Sequence, residues 1–141
     1  MTAPVFVDTN VLVYARDRAQ GDKHRRAREW MTRLWETHTG RLSHQVLSEY
    51  YVTVTAKLKP GMPAAAARRD VRALLAWHPL ATTDTTLERA WDLQDRHQLA
   101  WWDALIVASA LGTGCGTLLT EDLQDGQRFG DLAVVSPFRA D

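Results

Sequence analysis

The chain has 141 residues, 45% of them hydrophobic and 24% charged, which suits one domain with a real core. Lys+Arg and Asp+Glu each number 17, so the formal net charge is zero and only a local patch can attract nucleic acid. A single cysteine, Cys115, excludes an internal disulfide, and no apolar run approaches the ~18 residues of a membrane helix. The first apolar run is broken by Asp8 and Asn10 and has no basic leader, so the expectation is a cytoplasmic protein without a signal peptide.

In chain order, "PVFVD" is β-branched and aromatic and predicts a strand buried on both faces. "TNVLVYAR" turns into a short helix with Thr9 or Asn10 near its cap. In "GDKHRRAREWMTRLWETH", Ala27, Trp30, Met31, Leu34 and Trp35 fall at helical spacing, and Gly40 is expected to end that helix. "RLS" predicts a short strand. Ser43 then caps the helix "HQVLSEYYVTVTAKL", which Pro60-Gly61 stops. "MPAAAARRDVRALLAWH" is a further helix, "PLATTD" a brief strand or loop, and Asp84 or Thr85 starts the helix "TLERAWDLQDRHQ". "WDALIVASALGTG" is helical and apolar nearly all round, hence central. "GTLLTED" and "DLAVVSP" are the last strands, with Cys115 a small buried filler before the first of them. Strands alternating with helices argue for one α/β domain over residues 1–141, with a parallel sheet covered on both faces.

In such a sheet ligands bind outside the carboxyl ends of the strands. Asp8 ends the first strand, Asp122 lies just past "GTLLT", and Asp125 follows three residues later. Asp103 occupies the first turn of an apolar helix, and Glu49 lies on a helix face shared with Gln45 and Thr53. Each acid alone has an ordinary explanation as a turn cap, a helix N-terminal acid or a solvated residue. Together they interrupt apolar segments and gather at one sheet edge. Converging carboxylates raise each other's pKa unless a cation neutralises them. Oxygen ligands without a Cys/His set favour Mg²⁺ or Mn²⁺ over Zn²⁺.

Four stretches, "FVDTNVLVYA", the glutamate of "LSEYY", "WWDALIVASA" and "LLTEDLQDG", resemble in order and spacing the PIN-domain ribonucleases, and within them the toxins of VapBC-type toxin–antitoxin pairs. The resemblance runs from residue 5 to about residue 138 and implies a three-layer α/β/α domain with a central, mostly parallel sheet. It implies a catalytic quartet of Asp8, Glu49, Asp103 and Asp122, with Asp8, Asp103 and Asp122 as metal ligands. Thr120 and Asn10 match supporting positions, and Asp125 shares or exchanges a role with Asp122. It further implies a Mg²⁺- or Mn²⁺-dependent endoribonuclease that leaves a 5′-phosphate and a 3′-hydroxyl, a small cognate antitoxin as partner, and a homodimer.

An acidic pocket repels RNA, so basic residues must supply affinity. Lys23, Arg25, Arg26 and Arg28 form the densest run; Arg68, Arg69 and Arg72 form a second cluster, and Lys57 with Lys59 a third. Trp30, Trp35, Trp77 and Trp91 fall on apolar helix faces and are expected in the core. Trp101 and Trp102 cannot share one helix face, and Trp101 is the freer of the two by the family pattern. None of the five histidines is expected to be catalytic. Two other readings compete. A phosphatase of the haloacid dehalogenase type needs a second aspartate where Asn10 stands, and a receiver-like Mg²⁺-binding module needs a lysine after a late strand, where "LLTEDLQDG" has none.

Overall fold

The computed structural model describes residues 3–139. Its centre is a five-stranded sheet in the order β2-β1-β3-β5-β4. The strands are β1 (Val5–Val7), β2 (Gly40–Arg41), β3 (Thr117–Leu119), β4 (Arg128–Phe129) and β5 (Leu132–Val135). All neighbours run parallel except β4 and β5. Six α-helices flank the sheet: α1 (Thr9–Arg16), α2 (Asp22–Thr37), α3 (His44–Val52), α4 (Ala64–Leu74), α5 (Asp84–His97) and α6 (Trp101–Gly112). The chain is thus the α/β domain with a mostly parallel sheet that the sequence predicts.

The core forms where short, wholly apolar strands meet the helices. Phe6, Val7, Leu118, Leu119 and Leu132 are fully buried from the sheet, and Val11, Val46, Val54 and Val107 from the elements above and below it. Each such burial contributes roughly 1.5–3 kcal/mol. In α6, residues 104–110 are all buried, as its apolar composition requires. Cys115 is buried, as expected of a filler. Tyr50 on α3 donates its hydroxyl proton to Asp70 on α4 at 2.6 Å, and Arg16 at the end of α1 meets the same carboxylate at 3.0 Å. One acid thereby ties three helices.

Several local expectations are corrected. Asp8 itself caps α1, accepting from the Thr9 N–H, because the chain is still extended there and leaves its carboxylate beside the first free amide. The last helical turn of α2 closes on His38 in the left-handed conformation, not on Gly40. Gly40 opens β2 instead, and a Cβ there would collide with the Trp77 ring. Thr83 caps α5 through a reciprocal pair with Thr86. The helix expected over "HQVLSEYYVTVTAKL" is α-helical only to Val52 and continues as a π-helical turn, Thr53–Lys57. The β4–β5 hairpin is a strand pair the apolar pattern did not reveal; its signal was Gly130, at φ 62°, between two residues on each side that pair.

The tryptophans also divide differently. Trp77 is buried, but Trp35 leans on it at 5.1 Å between ring centres and stays 38% exposed. Trp91 is 47% exposed because its neighbour on that side is Trp101, stacked 6.2 Å away, rather than the sheet.

Gly40→Ala is expected to destabilise the fold by about 1–3 kcal/mol through overpacking against Trp77, seen as a lower urea midpoint with an unchanged m-value.

Candidate active site

The site follows from strand register. Val7 of β1 pairs with Leu119 of β3, so the residues immediately beyond, Asp8 and Thr120, lie side by side at the carboxyl edge. The Asp8 N–H donates to the Leu119 carbonyl at 3.1 Å and fixes this alignment. With β2 on one side of β1 and β3 on the other, this is where the strand order reverses.

Asp8 is buried, and both its oxygens are engaged. Oδ1 accepts from the Thr9 N–H at 2.7 Å, and Oδ2 accepts from the Thr120 hydroxyl at 2.8 Å. Thr120 is fully buried and uses its whole hydrogen-bonding capacity. It donates to Asp8 and accepts from the Asn10 amide and from the Asp122 N–H, each at 3.1 Å. Asn10 Nδ2 also donates to Asp122 Oδ2 at 3.1 Å and lies 3.4 Å from Asp8 Oδ2. Its Oδ1 accepts from the Glu121 N–H at 3.4 Å. Asn10 therefore bridges the two acidic loops with an amide donor, which an aspartate at that position could not supply.

Glu49 joins from α3. Its Oε2 accepts from the Thr9 hydroxyl at 2.8 Å and its Oε1 from the Gln45 amide at 2.9 Å, one helical turn earlier. Gln45 Oε1 is buried and, among the described residues, has no hydrogen-bond partner. Asp103, half-buried in the first turn of α6, is close enough to Asp122 to feel its charge.

The electrostatics record this convergence. Burial pushes the Asp8 carboxyl up to about 6. The Thr120 and Thr9 bonds pull it back, while the charges of Asp122 and Glu49 push it further. Asp103 is raised by burial first and by Asp122 second. Among the described residues no ion pair includes Asp8, Glu49, Asp103 or Asp122. The side chains as placed do not form a three-ligand His/Cys/Asp/Glu group able to hold an ion, among the described residues. The donor chemistry nonetheless fits a hard divalent cation: oxygens only, and an excess of negative charge that no ion pair among the described residues balances.

Asp125 stands apart. Its Oδ1 accepts from the Ser136 N–H at 2.7 Å and its Oδ2 pairs with Arg139 at 3.1 Å, so it braces the loop against the segment after β5. The basic run on α2 is largely spent within the protein. Arg25 pairs with Asp22 and Glu29, Arg26 with Asp22, and Lys23 with Glu121. Arg28 lines a cavity with Trp35 and Tyr50. Sequence reasoning missed Thr9 and Gln45 as supports of Glu49, although a residue next to Asp8 and one four positions before Glu49 were both legible candidates. It also missed Glu121, which accepts from Tyr14 at 2.6 Å and pairs with Lys23 at 2.9 Å.

A mostly parallel α/β sheet with an uncompensated acidic edge at its switch point defines a class of acidic-site domains. Residues 5–129 match the PIN domain, and the chain belongs to that family. No curated protein sequence matches it significantly. Solved structures share the fold. A toxin–antitoxin complex from Klebsiella pneumoniae aligns with a TM-score of 0.63 at 21% identity, over 96% of this chain and 99% of that one. VapC20 of Mycobacterium tuberculosis, a toxin that cleaves the sarcin–ricin loop, aligns at 0.62 and 24% identity over 81% and 86%. VapBC2 of Rickettsia felis, bound to a DNA fragment from its promoter, aligns at 0.65 and 17% identity over 94% and 97%.

The raised Asp8 pKa has a consequence for stability. Between the ordinary carboxylate value and about 6 the folded state holds a proton that the unfolded state has lost. Stability from this group therefore falls as pH rises through that window and levels off above it, a loss on the order of 3 kcal/mol. Asp8→Asn keeps the cap and removes the titration, and loses the Thr120 hydrogen bond at every pH. In EDTA its stability relative to the wild type is expected to rise from pH 4.5 to pH 7.5. Paired thermal melts across that range check this; a difference between variant and wild type that does not change with pH contradicts it.

Proposed function

We propose that this chain is a metal-dependent endoribonuclease, the toxin of a type II toxin–antitoxin pair, acting in the cytoplasm. The observation that carries the reading is the buried Asp8 carboxylate, locked by Thr9 and Thr120 beside Asp122 and Glu49, with no ion pair to these acids among the described residues. Membership of the PIN domain family and likeness to toxin–antitoxin structures support it. The phosphatase alternative loses ground because Asn10 acts as an amide donor to the acids.

In this reading Asp8, Asp103 and Asp122 hold Mg²⁺ or Mn²⁺. An ion held there would lower the pKa of a bound water and offset charge on the phosphate oxygens. Asp8 is held rigidly, with both oxygens already oriented by short hydrogen bonds. Asn10 keeps the Asp122 loop at hydrogen-bonding distance from Asp8. Glu49, aimed by Thr9 and Gln45, orients the attacking water and accepts its proton. The substrate is RNA. A small antitoxin masks the acidic edge, and the toxin pairs as a homodimer. Lys23 contributes to RNA binding from beside the Asp122 loop, where it pairs with Glu121, and Arg25, Arg26 and Arg28 contribute more weakly. Asp125 serves as a loop brace, not a ligand.

The test is cleavage of total RNA by the purified protein with Mn²⁺ or Mg²⁺. The expected result is cleavage abolished by EDTA and reduced at least about a hundredfold in folded Asp8→Ala and Asp103→Ala, the order of loss seen when a key electrostatic group is removed. Cleavage that persists in both folded variants contradicts the assignment.

A further inference from the structure

Beside the acids lies a groove of about 390 Å³ lined by Thr9, Ser48, Glu49, Val52, Thr53, Lys57 and Trp102. We propose that this groove seats the nucleotide next to the scissile phosphate of a single-stranded RNA, with the base stacked on Trp102 and a flanking phosphate drawn to Lys57. The inference rests on the nuclease reading and names how that site would grip its substrate.

Trp102 carries the argument. It is 62% exposed at the start of a helix whose residues 104–110 are all buried. Its neighbour Trp101, which the sequence pattern marks as the freer residue, is half-buried and stacked on Trp91 instead. The expectation for the two residues is thus reversed. Trp102 directly precedes Asp103, and across the groove Glu49 is bonded to Thr9, whose neighbour is Asp8. A base on the indole therefore lies in the groove that Glu49 lines, with Asp8 one residue beyond the Thr9 that holds Glu49. An exposed indole face accepts any base, and such stacking is sequence-tolerant.

Charge supports the same occupant. The acidic edge repels phosphates, so a cation must sit just outside it. Arg25, Arg26 and Lys23 are bound to acids of the same chain. Lys57 is exposed and belongs to no ion pair among the described residues. It lies at the end of the π-helical turn, after which the Leu58 N–H donates to the Thr53 carbonyl at 3.0 Å, five residues back. Thr53 and Lys57, the two ends of the turn, both line the groove. Such turns are frequent at functional sites. A protein surface seated here would have to neutralise Glu49 and Lys57 together while covering only two exposed large apolar residues, Val52 and Trp102.

The test uses fluorescein-labelled oligouridylate and oligoadenylate decamers, with binding measured by anisotropy in EDTA and cleavage measured with Mn²⁺. Trp102→Leu is expected to weaken binding of both oligomers about five- to a hundredfold, and Trp102→Phe to retain most of the affinity. Lys57→Ala is expected to weaken binding and to reduce the slope of log K against log salt by about 0.7. Mn²⁺ affinity stays unchanged in all three. If the wild type cleaves RNA while Trp102→Leu and Lys57→Ala bind and cleave as it does, the inference falls and the nuclease reading stands. If Trp102→Leu leaves RNA binding intact but lowers the mass on gel filtration, the face is a protein contact and the inference falls. If the wild type neither binds nor cleaves RNA, both fall.

Discussion

The structure depends on a carboxylate buried at the end of a strand. Asp8 lies where β1 leaves the sheet, with the apolar core behind it and Thr120 of the neighbouring loop beside it. Burying a charge alone is costly, and here two donors soften that cost without cancelling it. The remaining imbalance is what a cation could relieve. The parallel register of β1 and β3 makes the arrangement possible, because it brings residues 112 positions apart into hydrogen-bonding distance.

Around that point the fold spends polar residues on positioning. Thr120 has one donor and two acceptor sites: it donates to Asp8 and accepts from Asn10, both at the β1–α1 junction, and accepts from the Asp122 N–H of its own loop. Asn10 presents an amide to the acids, so it draws them together without adding charge. Thr9 and Gln45 hold Glu49 on the opposite side. The acids are therefore placed by neutral donors, and Asp103 enters from the first turn of α6.

Much of this was legible in the sequence. A five-residue apolar run ending in an acid, and an apolar helix opening with one, are unusual enough to mark Asp8 and Asp103. Alternation of strands and helices gave the sheet, and the sheet gave the edge at which the acids meet. What was not legible depends on tertiary neighbours. Asp125 has the same composition and spacing signal as Asp122, and only the approach of Ser136 and Arg139 separates them. The basic run on α2 was visible as charge, but its pairing with Asp22, Glu29 and Glu121 depends on side-chain geometry. The β4 strand, Arg128–Phe129, is too short to leave a periodic signal. The exchange of roles between Trp101 and Trp102 turns on the position of Trp91 across the α5–α6 contact.

In the proposed mechanism Asp8, Asp103 and Asp122 hold a divalent cation and Glu49 works beside it. The most direct measurement is calorimetric titration of Mn²⁺ into the folded, EDTA-stripped protein, alongside Asp8→Asn and Asp103→Asn. The expected result is saturable binding by the wild type, weakened at least about tenfold in each variant, as loss of one carboxylate from a hard-cation site requires. Absence of saturable binding by the wild type, or equal binding by both variants, would contradict the account.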